Sequence, residues 1–214
     1  MPFNINKMNN ITSGAADSSR AYAYKSTTDT LATIIANGYF DTLLVPLQID
    51  DTIYIKGSDY AGLFAVSAAT TTVILQSFGV LKAQVIVTSA QILALRATPI
   101  TVIAAPGAGK IIDFISANLQ LDYNAAAYAE SADNTVFRYT GAAGVIVSQA
   151  IESTGFLDQT ADTRNSAIAK IDQIAANSAC ENQSLVWHNT GDGEFTDGNS
   201  TIVIDVAYRI VNGV

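Results

Sequence analysis

The chain has 214 residues, of which 49% are hydrophobic and only 14% charged, against roughly 25% charged in ordinary soluble domains. Its 19 acidic and 11 basic residues leave a net charge of −8, and the basic ones are scattered singly. A phosphate backbone repels an acidic surface that has no basic stripe, so direct nucleic-acid binding is disfavoured, and no apolar run reaches the roughly 18 residues a membrane-spanning helix needs.

Residues 1–20 are polar, rich in Asn, Ser and Ala, and without sustained periodicity. They read as an arm, either disordered or laid over a neighbouring subunit. The segment MPFNINKMNNITSG has no apolar stretch followed by a small-residue cleavage site, so it is not expected to be a secretory signal.

A small β-rich domain is expected over residues 21–86. Ala21–Ser26 reads as a strand. A helix then follows a cap signal at Ser26 to Asp29, with Leu31, Ile34 and Ile35 on one face and Gly38 at its C-terminal end. Tyr39 and Phe40 are placed to anchor that end. Ile53 and Ile55 alternate with Thr52, Tyr54 and Lys56 behind a turn at Asp50-Asp51, and GLFAVSA and TTVILQSF form a hairpin. Several short strands in so few residues suggest a partly open β-barrel-like unit.

The second domain is expected over residues 87–214. SAQILALRATP reads as one or two helical turns capped by Ser89 and ended before Pro99. ITVIAA and KIIDFISANLQLDY are strands on either side of Pro106-Gly107-Ala108-Gly109. NTVFRYT and VIVSQAI make a hairpin across Gly141 to Gly144. In residues 160–177, Ile168, Ile171, Ile174 and Ala175 sit three and four apart among polar residues, which predicts an amphipathic helix. SLVWHNT and TIVIDVAYRIV flank the turn-rich GDGEFTDGN and close the sheet. In the last strand Ile202, Ile204, Val206, Tyr208 and Ile210 share one face, and Asp205 and Arg209 lie on the other. This order is mainly β with one inserted helix, which favours a jelly-roll-like β-sandwich.

Chemistry-bearing residues are few, and each has a structural reading. Ala105-Pro106-Gly107-Ala108-Gly109-Lys110 resembles half of a phosphate-binding loop, but Ala104 stands where the first Gly belongs, and Ile111 follows the Lys in place of Ser or Thr. A tight turn explains the Pro and Gly residues. Asp192, Glu194, Asp197 and Asn199 could offer oxygens to calcium, yet their spacing departs from the helix-flanked calcium loop and suits β turns. His188 is the only histidine and Cys180 the only cysteine, too few for a usual zinc site or any intrachain disulfide. Cys180 reads as a buried inert thiol. A triad of His188 with Ser184 or Ser200 lacks a nucleophile elbow. Asp122 and Glu130 could be paired for glycoside cleavage, as could many pairs among 19 acids. Tyr123, Tyr128, Tyr139 and Trp187 could form a sugar-binding platform or simply fill a core. The expectation is therefore no enzyme, no catalytic residue, no metal and no cofactor.

Several stretches resemble a group of tailed-bacteriophage virion proteins of small two-part architecture: YKSTTDTLATIIANGYF and LQIDDTIYI, then ILALRATPITVIAAPGAGKIIDFISANLQLDY, GVIVSQAIESTGF and HNTGDGEFTDGNSTIVIDVAYRI. The resemblance implies a structural component of the virion, made in the host bacterial cytoplasm. Such a protein would be a capsid decoration or cement protein or a head or tail fibre. Its partners would be itself, as a homotrimer, and the major capsid protein or another virion protein. For a fibre module, a host-surface glycan would be the ligand. The resemblance maps no functional residue onto this chain.

Overall fold

A computed structural model describes residues 8–11, 20–36, 38–41, 47–58, 61–68, 73–77, 79–129, 134–172 and 174–213. The protein is mainly β, and its residues cluster into two compact units. The first comprises Met1–Leu81, Ala105–Ile111 and Arg209–Val214; the second comprises Lys82–Ala104 and Ile112–Tyr208. The sequence placed one break, after residue 86. Contacts instead break the chain after Leu81 and return two later segments to the first unit. Nothing in LKAQVIV marks that point, because the alternation of the strand runs straight through it.

The first unit is built on an open five-stranded sheet in the order β1-β2-β3-β4-β5. Its strands are β1 (Met8–Asn10), β2 (Ala21–Lys25), β3 (Thr52–Lys56), β4 (Ala61–Ala68) and β5 (Ile74–Ser77). Part of the expected arm is thus a strand of the protein's own sheet, antiparallel to β2 through Met8↔Tyr24 and Asn10↔Tyr22. Backbone pairing, which needs no side-chain pattern, puts it there. β2 and β3 are parallel, joined through the short helix α1 (Leu31–Ile35). Thr30 caps α1, its side chain accepting from the Thr33 amide at 3.3 Å, while Ser26 caps the preceding turn by accepting from the Asp29 amide at 3.0 Å. Leu31, Ile34 and Ile35 are buried, and Gly38 follows at φ 86°, a conformation that costs a residue without Cβ little. Tyr24, Tyr39 and Phe40 pack edge to face beside the helix, with ring centroids 5.1–5.9 Å apart. The fully buried Asp51 is held by Arg20 Nη2 at 3.0 Å and by the Arg20 and Gln48 amides, each at 2.8 Å.

The second unit is sandwich-like. One sheet has the order β10-β9-β12-β7, the other β11-β8-β13-β6. Their strands are β6 (Leu81–Val87), β7 (Ile100–Ile103), β8 (Lys110–Asp122), β9 (Asn134–Tyr139), β10 (Ile151–Glu152), β11 (Thr163–Ile168), β12 (Leu185–Asn189) and β13 (Thr201–Asn212), of which residues 81, 110–111 and 209–212 cluster with the first unit. Phe114 of β8 stacks on Phe137 of β9 with centroids 5.2 Å apart, and the Tyr139 hydroxyl of β9 donates to the Ile112 carbonyl of β8. These contacts join the two sheets through their core. Between β6 and β7 lies α2 (Ser89–Ile92), whose cap is Thr88, one residue earlier than expected, with the Thr88 amide donating to Gln91 Oε1 at 2.9 Å. β12 and β13 do not close one sheet, as the sequence suggested; each lies inside a different one.

The amphipathic helix expected over residues 160–177 is absent. Thr163–Ile168 is instead an edge strand, antiparallel to β8 in the register Thr163↔Leu121 to Ile168↔Ser116. The isoleucine spacing marks no buried face, since Ile168, Ile171 and Ile174 are 58, 73 and 97% exposed. Sheet pairing satisfied the backbone here, and Ala167 rather than an isoleucine points inward. Among the described residues the helix nearby is α3 (Asn177–Cys180). No helix among the described residues is long and apolar enough to cross a membrane.

Candidate functional site

The outward face of the β11-β8-β13-β6 sheet carries the most distinctive arrangement in the second unit. On β13, Ile202, Ile204, Val206, Tyr208 and Ile210 are buried as their spacing predicts, which leaves Val203, Asp205 and Ala207 on the open side. On β6, Lys82, Gln84 and Ile86 are exposed; on β11, Arg164, Ser166 and Ile168. Strand order and register bring polar side chains from all four strands into one row. Gln84 Nε2 donates to Asp205 Oδ1 at 2.8 Å, Gln120 Nε2 to Asp205 Oδ2 at 3.3 Å, and Arg164 Nη2 to Gln120 Oε1 at 3.1 Å. Arg164 sits directly opposite Gln120 in the strand register. Such cross-strand pairs order a face without covering it. Ile86 is 64% exposed and Ile168 58% exposed on the two outer strands. The sequence reading found Asp205 on this face but missed Gln84, Gln120 and Arg164. The signal was present as period-two alternation in LKAQVIV and TRNSAI, but the helical spacing of the isoleucines masked it in the second.

The residues singled out for chemistry serve packing. Lys110, the lysine of the half phosphate loop, is fully buried in the first unit; its Nζ donates to the Leu75 carbonyl and, at 2.8 Å, to Asn212 Oδ1. Burial lowers its pKa to about 8. The ammonium therefore points into the protein rather than toward a phosphate. His188 is buried in β12, with Nδ1 3.4 Å from Arg138 Nη1. Burial and then the Arg138 guanidinium hold its imidazole below the ordinary value, against a smaller opposing pull from the Arg96 backbone. Cys180 is buried, and burial raises its thiol pKa. Ser200 is fully buried and accepts from the Asn124 amide at 3.2 Å; Ser184 lies 3.5 Å from Thr140 Oγ1.

The acidic loop is used as a brace. Glu194 accepts from the Arg96 and Ala97 amides at 2.8 and 2.7 Å, and Asn199 Oδ1 from the Ala125 and Ala126 amides at 3.0 and 2.9 Å. These oxygens satisfy backbone donors, and no group of three or more His, Cys, Asp or Glu among the described residues is placed to hold a metal. Gly198 lies so close to Tyr128 that a Cβ there would clash with its ring, which fixes glycine at this position. Asp122 is exposed at the end of β8, while Glu130 lies outside the described residues. The aromatic platform does not form: Tyr128, Tyr139 and Trp187 are core residues, and only Tyr123 is partly exposed. Rings that a sugar would need on the surface are spent on the hydrophobic core instead.

Comparison with protein-family models, with curated proteins and with solved structures finds no match to this chain.

Proposed function

We propose that this chain is a non-enzymatic structural component of a tailed-phage virion, which associates with copies of itself as a homotrimer and seats on the capsid surface as decoration or cement. One observation carries the reading. Three large aliphatic side chains, Ile168, Ile171 and Ile174, are exposed within one short stretch that begins on the edge strand of the open sheet face. Single exposed aliphatics are ordinary, but a cluster beside an ordered, open sheet face favours cover by a partner. Covering each fully would contribute about 1.5–3 kcal/mol. Further support comes from the burial of His188, Cys180 and Lys110, which commits these groups to the fold. The likeness of the quoted stretches to virion proteins points the same way.

Light scattering of the purified protein, together with co-sedimentation with phage capsids lacking it, tests the reading. The expected result is a trimer that pellets with the capsids. A monomer that stays in the supernatant would overturn it.

A further inference from the structure

Beyond assembly, the second unit carries a pocket that the structural role does not use. It has a volume of about 450 Å³ and lies where β8, β11 and β13 meet near the end of the open face, lined by Gln120, Asp122, Asp162, Thr163, Arg164 and Val203. That volume falls in the range of small-ligand sites, roughly 300–1,000 Å³. We propose that this pocket binds a neutral saccharide.

The chemistry of the lining selects that ligand. Two of its charged groups are held in place by the fold. Arg164 is steadied by Gln120 Oε1 at 3.1 Å, and Gln120 is itself fixed by Asp205. Asp162 Oδ1 accepts from the Tyr123 amide at 2.9 Å, and Oδ2 has no partner among the described residues. Asp122 has no hydrogen-bond partner among the described residues, and no carboxylate there pairs with Arg164. The pocket thus presents carboxylate acceptors and guanidinium donors side by side, their positions partly set before any ligand arrives. An anionic ligand meets two carboxylates against one guanidinium, and a cation is drawn by the carboxylates but repelled by the guanidinium, whose donors it leaves unanswered. A hydroxyl both donates and accepts, so neighbouring hydroxyls on one ring satisfy both kinds of group at once. Val203, partly buried in the lining, offers an apolar contact for the C–H face of the ring. This placement differs from the aromatic platform considered from sequence, whose rings are mostly buried.

The test is titration of the ¹⁵N-labelled full chain with methyl α-glucoside, methyl α-mannoside and di-N-acetylchitobiose, followed by amide shifts. At least one sugar is expected to move the amides of Gln120, Asp122, Asp162, Arg164 and Val203. Asp162→Asn and Arg164→Gln should each weaken that binding about tenfold or more while the rest of the spectrum stays in place. Lys25→Gln, on an exposed position of the first unit, should leave it unchanged. Absence of shifts with all three sugars would overturn the proposal, as would shifts elsewhere only, or a response to calcium or lysine amide alone. None of these outcomes bears on trimerisation or capsid binding, which are read separately.

Discussion

β12 and the Thr201–Tyr208 part of β13 are inner strands of the second unit, yet they bury their residues differently. All five residues of β12 are buried, so the β10-β9-β12-β7 sheet is covered on both sides there. β13 buries alternate residues and leaves its other side open. The first strand therefore reads as a continuous apolar run with His188 and Asn189 enclosed in it. The second reads as strict alternation. The lesson is a division of labour. The twice-covered strand holds the unit together, and the half-covered sheet has a surface to offer.

The contrast can be broken most severely at Trp187, which is fully buried on β12. Trp187→Ala should cost about 3–5 kcal/mol in denaturant unfolding, because a cavity replaces the largest side chain of the core. Trp187→Phe should cost much less. The indole Nε1 has no hydrogen-bond partner among the described residues, so the smaller ring also removes an unpaired buried donor. Equal losses from the two variants would show that the indole itself, and not the volume removed, sets the cost there.

A second test concerns the buried charge at the start of β8. Between pH 8 and 10.5 the unfolded chain retains a proton on Lys110 that the folded chain has released. The unfolded state binds more protons in that window, so this group makes stability rise with pH across it, by up to roughly 3 kcal/mol. Unfolding curves collected through the window should show the rise, and Lys110→Met should flatten it. The same slope in the variant would assign the effect to other groups.

Smaller effects are expected on the open face. Asp205→Ala disconnects Gln84 and Gln120 from the cross-strand row and should cost under about 1 kcal/mol, since exposed polar pairs contribute little. Ile168→Ser should change monomer stability by no more than about 0.5 kcal/mol, because the side chain is 58% exposed. It should nonetheless weaken self-association in sedimentation equilibrium. A stability loss on the scale of Trp187→Ala would place Ile168 in the core and remove the contrast between the sheets.

Much of the fold was legible because exposure to water on one side writes a period of two into a strand. β13 could be read residue by residue, as could β3, where Ile53 and Ile55 are fully buried. The helix α1 announced itself through Leu31, Ile34 and Ile35, although its cap fell at Thr30. The candidate face was only half legible. Asp205 was visible on the polar side of β13, but its partners Gln84 and Gln120 lie 121 and 85 residues away. Local sequence carries no trace of such distant neighbours.

By itself, the sequence determined which residues alternate, where turns interrupt them, and that charge would be sparse. Those properties follow from local geometry and from the cost of burying polar groups. Tertiary structure decided the rest. It made Thr163–Ile168 a strand rather than a helix, because β8 offered its backbone a partner. It put Tyr128, Tyr139 and Trp187 into the core, and it assembled one polar row from four separate strands. Strand pairing and ring burial depend on what the folded chain brings alongside, which no window of local sequence contains.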